Sequence, residues 1–163
     1  MTTRRKISLT TYQRVPKKGK PVATILPDPS TPFGKRVARR LREELVIWLT
    51  VTGAHGTPQP APVWFLWEEE TFLIYTLANA KRLAHIERNP RVALNFDGDG
   101  SGGDIIVFTG EARQAPDTPP ADQYPAYAEK YRGLIAEEFQ SAETFARGYP
   151  IALRITPTRV RGY

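Results

Sequence analysis

The sequence contains no cysteine. That excludes disulfides, thiol catalysis and cysteine-ligated zinc. With only two histidines, His55 and His85, it also argues against a histidine-rich metal site. No stretch approaches the roughly 20 apolar residues of a membrane span, and the basic N-terminal residues are not followed by the apolar run of a signal peptide. The expectation is a cytoplasmic protein with no membrane partner and no metal. Any redox chemistry must then come from a bound cofactor rather than from a side chain.

What is present is an ordinary globular composition, with 40% apolar, 25% charged and 10% aromatic residues. Its 15 prolines and 12 glycines call for many turns, which suits strands better than a helical bundle. At 163 residues the chain fits one domain. It reads as a basic, proline-containing extension over 1–30 and a folded domain over 31–163. Charge is uneven: residues 1–44 carry twelve Lys or Arg against three acids, and residues 45–163 carry eleven against fourteen. A basic arm can bind nucleic acid through phosphate contacts, but no aromatics interleave with these cations in the pattern of a binding module. A solubilising tail is the simpler reading, and nucleic acid is not the expected partner.

Along the chain, Thr31 and Pro32 supply an N-cap and a first-turn proline. Phe33, Val37, Leu41 and Leu45 then recur every four residues, while Lys35, Arg36, Arg39, Arg40 and Arg42 are expected to face elsewhere. Leu45–Val51 and Ala61–Trp67 read as a hairpin around Gly53-Ala54-His55-Gly56. Thr71–Thr76 follows as a third strand after a turn at Glu68, Glu69 and Glu70, which predicts a three-stranded antiparallel meander. Lys81–Asn89 is a short helix ended by Asn89-Pro90. Strands are predicted around Val92–Phe96, Ile105–Gln114 and from Ile151, the last with Pro157 near its far end. Between them, a helix after Pro119-Pro120 carries Tyr124, Tyr127 and Tyr131 as core or dimer contacts. About six serial strands with inserted helices and no βαβ alternation predict a mainly β fold that closes into a barrel.

Four features bear on chemistry. Lys81 and Arg82 open the short helix behind a plausible cap at Asn79, where backbone N–H groups and the helix dipole favour an anion. They form either a phosphate pocket or a pair of solvated charges. Trp64 and Trp67 are three apart on a strand and so face opposite ways; one is core, and Trp64 either packs or contacts a ligand ring. His85 reads as a structural histidine and His55 as a turn residue. The loop from Asp97 to Asp104 imitates the start of a calcium loop, but its twelfth position is Phe108 where a bidentate Glu is required. It is read instead as a flexible loop able to lie over an active site.

The segment Tyr75-Thr76-Leu77-Ala78-Asn79-Ala80-Lys81-Arg82, continued by Ile86 and Asn89-Pro90-Arg91-Val92, resembles the flavin-phosphate segment of the pyridoxamine 5′-phosphate oxidase superfamily. There a serine followed by two basic residues holds the cofactor phosphate; Lys81 and Arg82 match the basic positions, and Ala80 departs from the serine. Pro62-Val63-Trp64-Phe65-Leu66-Trp67, Gly110-Glu111-Ala112 and Arg154–Val160 are similar to the branch that uses flavin or the deazaflavin coenzyme F420 as a reductase. The resemblance covers roughly residues 37–163. It implies a split β-barrel, the Greek-key-like antiparallel FMN-binding fold, in a homodimer with two cofactor sites at the subunit interface. It further implies that backbone groups of Pro62, Val63 and Trp64 line the ring, and that Thr76, Lys81 and Arg82 hold the phosphate end.

The implied activity is an oxidoreductase that binds coenzyme F420, or alternatively FMN, and transfers a hydride to or from a small organic substrate. No catalytic side chain is assigned, because the cofactor carries the hydride chemistry. The alternatives are an FMN-binding pyridoxamine phosphate oxidase-like protein and a non-catalytic flavin or heme module of the same fold. The basic arm over residues 4–20 would suit the acidic tail of the deazaflavin.

Overall fold

A computed structural model describes residues 24–163; the basic arm proposed for the deazaflavin tail and most of the 1–30 extension lie outside the described residues. The expectation of a mainly β split barrel with inserted helices is met. Seven antiparallel strands form one curled sheet in the order β2-β1-β5-β6-β7-β4-β3. The strands are β1 (Val46–Thr52), β2 (Pro58–Trp64), β3 (Leu66–Glu68), β4 (Thr71–Thr76), β5 (Arg91–Asn95), β6 (Ile106–Gln114) and β7 (Ile151–Gly162). Helices α1 (Pro32–Glu43), α2 (Lys81–Arg88), α3 (Pro125–Phe139) and α4 (Ala142–Gly148) are inserted among them, with a single 3-10 turn at Ala121–Gln123.

The predicted meander is corrected by this order. The β1–β2 and β3–β4 hairpins are both present, but they sit at opposite ends of the sheet. The second run is not one strand: it breaks at Phe65, which is fully buried, and the chain crosses there from one end of the curled sheet to the other. β2 and β4 come into contact at this seam without sharing a ladder. The turn at Glu69 and Glu70 forms as expected, with both residues at positive φ (48° and 57°). That is the left-handed pair of a tight two-residue hairpin, where Asn and Gly are the favoured types.

α1 starts as predicted, the Thr31 hydroxyl accepting a hydrogen bond from the Gly34 N–H at 3.0 Å. Val37 and Leu41 are buried, whereas Leu45 lies beyond the helix and is exposed. Arg40 does not face solvent. It is 5% exposed and donates to Glu44 (2.9 Å), to the Asp104 carboxylate (2.9 Å) and to the Asp97 carbonyl (2.7 Å), with its guanidinium 4.9 Å from the Phe96 ring centre. A buried charge is tolerable only when its donors are satisfied in this way. The same contacts tie the Asp97–Asp104 loop to α1, away from the cavity described below.

Pro157 is not near the end of its strand. It pairs with Gly110 inside the long β6–β7 ladder, at a register shift between Thr109 and Gly110. A bulge is where an interior strand accommodates proline. Gly110 is required there, because a Cβ at that position would run into the Thr156 carbonyl oxygen. The helix α4, capped by the Ser141 hydroxyl accepting from the Thr144 N–H at 3.1 Å, is an element that strand-and-helix periodicity missed.

Two apolar clusters result. One fills the inside of the curl with Ile47, Leu49, Phe65, Phe72, Leu94, Phe108 and Leu153. The other lies on the outer side of β4 and β7, where Leu73, Tyr75 and Ala152 meet Tyr127, Tyr131 and Phe145 of α3 and α4. Among the described residues no helix is long and apolar enough to cross a membrane.

Candidate functional site

A cavity of about 590 Å³ opens at the seam between β2 and β4. One wall is Pro62, Val63 and Trp64 at the end of β2; a second is Tyr75, Thr76, Leu77, Ala80 and Arg82, from the end of β4 to the start of α2. The third is aromatic and apolar, built from Tyr127, Leu134 and Phe139 of α3 with Phe145 and Tyr149 beyond it. Five of the six site residues picked out in the sequence, Pro62, Val63, Trp64, Thr76 and Arg82, therefore stand on one cavity. Lys81 does not line it and is exposed. Neighbouring helix positions are about 100° apart around the axis, and of this pair Arg82 is the one on the cavity wall.

Strand β2 ends the sheet and pairs only with β1, which leaves one edge without a strand partner. Pro58, Pro60 and Pro62 alternate along it. In an antiparallel pair the N–H and C=O of one residue point to the same side, and proline has no N–H to give a ladder. The three prolines accordingly occupy the positions that face the unpaired edge. That edge presents carbonyl oxygens from the prolines, and the N–H of Trp64 two positions on from Pro62.

At the start of α2 the N-cap is Ala80, not Asn79, and no side chain caps the helix. The serine hydroxyl that the resemblance calls for is thus missing at the cap itself. Arg82 is half-buried; burial pulls its pKa below the ordinary arginine value, opposed by nearby Tyr149. The one carboxylate on the cavity wall is Glu138, which is exposed on α3. A half-buried guanidinium beside uncapped helix N–H groups is a place where an anion is favoured.

Trp64 and Trp67 do face opposite ways, although the break at Phe65 separates their strands. Trp67 packs on Phe72 (4.8 Å) in the inner cluster, and Trp64 stacks on Tyr131 at 4.7 Å with the rings 1° from parallel. The three buried tyrosines behind the cavity have different commitments. The Tyr75 hydroxyl donates to the Pro119 carbonyl at 2.6 Å. The Tyr131 hydroxyl accepts from the Phe65 N–H at 2.7 Å and lies 2.6 and 2.8 Å from the Phe65 and Leu45 carbonyls, one of which takes its proton. Tyr127 is 0% exposed, and its hydroxyl has no hydrogen-bond partner among the described residues. Sequence spacing marked Tyr127 and Tyr131 alike as core or dimer contacts and could not separate them. His85 contacts Arg88 at 3.1 Å, and neither histidine lines the cavity.

Fold and site together define the class: a curled antiparallel half-barrel with a cavity at its seam and a short helix opening onto it. A family model described as pyridoxamine 5′-phosphate oxidase matches residues 33–163. The chain belongs to the pyridoxamine 5′-phosphate oxidase family. No protein with a curated description matches it. Among solved structures it is similar to a conserved hypothetical protein from Mycobacterium tuberculosis (20% identity, 88% of each chain, TM-score 0.63). It is also similar to an F420 reductase (20% identity, 76% of this chain and 94% of that one, TM-score 0.61). A third is the heme storage protein of Vibrio cholerae (12% identity, 78% and 92%, TM-score 0.57). At these identities the likeness is one of fold.

Proposed function

We propose that this protein is an oxidoreductase that binds a flavin-type cofactor in the seam cavity, coenzyme F420 in preference to FMN, and acts on a small organic substrate. The observation that carries the reading is the make-up of the cavity: a half-buried arginine at a helix start on one side and a flat aromatic wall on the other. A planar ring with a phosphate-bearing tail needs both. Family membership and the likeness to an F420 reductase support the same reading.

In this account Arg82 and the first N–H groups of α2 hold the phosphate, with Thr76 beside them. The free edge of β2, from Pro62 to Trp64, faces the ring with backbone acceptors and a donor. When bound, the cofactor supplies the hydride chemistry. The chain's own residues bind, orient and exclude water, and none is assigned a proton transfer. Lys81 acts from outside the wall, through its charge alone.

Val46 and Leu77 line the cavity yet are 38% and 43% exposed, and Leu45 beside them is 38% exposed. An apolar rim of this kind suits coverage by another protein surface, and a second copy of this chain is the proposed cover. A heme carrier of the same fold is less well supported, because an axial histidine would have to come from His55 or His85, and neither stands on the cavity.

The test is a titration of the purified protein against FMN and coenzyme F420, followed by quenching of cofactor fluorescence, with light scattering for the number of copies. Micromolar or tighter binding, tighter for F420, in a two-copy particle is expected. Binding of neither cofactor sinks the proposal.

A further inference from the structure

Among the described residues, four hydroxyl-bearing side chains stand on the wall of the seam cavity, and they differ in what a ligand can reach. The Tyr75 hydroxyl donates to the Pro119 carbonyl, Tyr127 is closed off at 0% exposed, and Thr76 is 4% exposed. Tyr149 is half-buried, with surface open to the cavity. Its position is fixed by backbone and ring alike. It is the C-cap of α4, its N–H donating to the Phe145 carbonyl at 2.9 Å, and Pro150 next in the chain disfavours helical geometry there. The ring stacks on Phe145, 4.9 Å away and 17° from parallel, and meets Phe139 nearly at right angles at 5.7 Å. The hydroxyl end lies within electrostatic reach of Arg82: among the described residues the Tyr149 phenol is the ionisable group whose charge acts on that guanidinium.

The helix start that brings Arg82 to the cavity is short of donors. Its N-cap is Ala80, with no side-chain cap, so no hydroxyl stands where the resemblance calls for a serine. Glu138, the one carboxylate on the wall, can only accept. A bound phosphate turns acceptor oxygens in several directions, and one guanidinium fork meets only the side it faces. We propose that Tyr149 is a ligand-binding residue: its hydroxyl donates a hydrogen bond to the phosphate that Arg82 holds, from the α4 side of the cavity rather than from the helix start. The inference rests on the flavin reading above and adds to it the side chain that stands in for the missing serine. A neutral hydroxyl aimed at the phosphate contributes nothing to the ring, so its removal discriminates between ligands with and without that group.

The experiment compares Tyr149→Phe with the unmodified protein. Both are titrated with FMN and riboflavin, and with coenzyme F420 and the phosphate-free deazariboflavin, and both are unfolded in urea without ligand. Tyr149→Phe keeps the ring and its stacking on Phe145, so the urea midpoint should stay where it is. It is expected to weaken the phosphate-bearing ligand by about tenfold, as loss of a hydrogen bond to a charged group implies, and to bind the phosphate-free ring as before. The inference is overturned if the phosphate-bearing ligand binds both proteins equally, or if the phosphate-free ring weakens by the same factor, which would make Tyr149 part of the ring wall. Either result leaves the flavin reading standing, because the unmodified protein still binds. If the unmodified protein binds none of the four ligands, the flavin reading falls and takes the inference with it.

Discussion

The two apolar clusters of this molecule differ in what their side chains end in. Inside the curl, Ile47, Leu49, Phe72, Leu94 and Phe108 end in carbon, and packing satisfies everything they have. On the outer side, Tyr75, Tyr127 and Tyr131 end in hydroxyls, and each hydroxyl must find a partner or bear the cost of lacking one. The inner cluster is complete in one chain. The outer one is complete except along the seam cavity, where Trp64, Phe139 and Tyr149 meet open space. The lesson is that the inner region determines whether the chain folds and the outer one what it holds.

Breaking the inner cluster gives the largest expected effect. Leu94→Ala removes a fully buried side chain from β5 and should cost roughly 2–5 kcal/mol, read as a lower urea midpoint with an unchanged slope. Tyr131→Phe, in the outer cluster, is next. Losing the hydroxyl strands the buried Phe65 N–H and a carbonyl, which should cost about 1–3 kcal/mol in the same measurement.

A change outside both clusters should run the other way. Glu70→Gly relieves a left-handed backbone at the β3–β4 turn and should raise stability by about 0.5–1 kcal/mol, leaving ligand binding untouched. A pH dependence is expected as well. The Lys130 ammonium is half-buried against Phe65, donating to its carbonyl at 2.9 Å with the ring centre at 3.8 Å. Burial brings its pKa down to about 8 from 10.5, against a weaker upward pull from Glu44. With the folded pKa below the unfolded one, the unfolded chain binds more protons in that window. The contribution of Lys130 to stability should therefore rise with pH from about 8 toward 10.5, read as the difference between the pH profiles of the unmodified protein and Lys130→Met.

Much of the inner region was legible in the sequence because period-two alternation is imposed by the pleat. Val92, Leu94 and Phe96 lie buried as the alternation requires, and Thr71–Thr76 has the predicted bounds. Strand order was not legible. A break at Phe65 sends one hairpin to each end of the sheet, and nothing local to Ala61–Trp67 distinguishes a crossing from a continuous strand. Arg40 was misplaced because its partners, Asp97 and Asp104, are about sixty positions away, at the far end of β5. At the site, five of the six chosen residues line the cavity, and Lys81 stands beside it on the exposed side of α2. Tyr127 could not be separated from Tyr131 by spacing, since the difference lies in hydrogen-bond partners that only the folded chain brings near.

The central claim is that the seam cavity holds a flavin-type ring with Arg82 at its phosphate. The most direct measurement compares Arg82→Ala with the unmodified protein in titrations against FMN or coenzyme F420 and against the corresponding phosphate-free ring. Arg82→Ala should weaken the phosphate-bearing ligand by at least about tenfold, as a charge-assisted contact implies, and leave the phosphate-free ring bound as before. Equal affinity of both proteins for the phosphate-bearing ligand would contradict it.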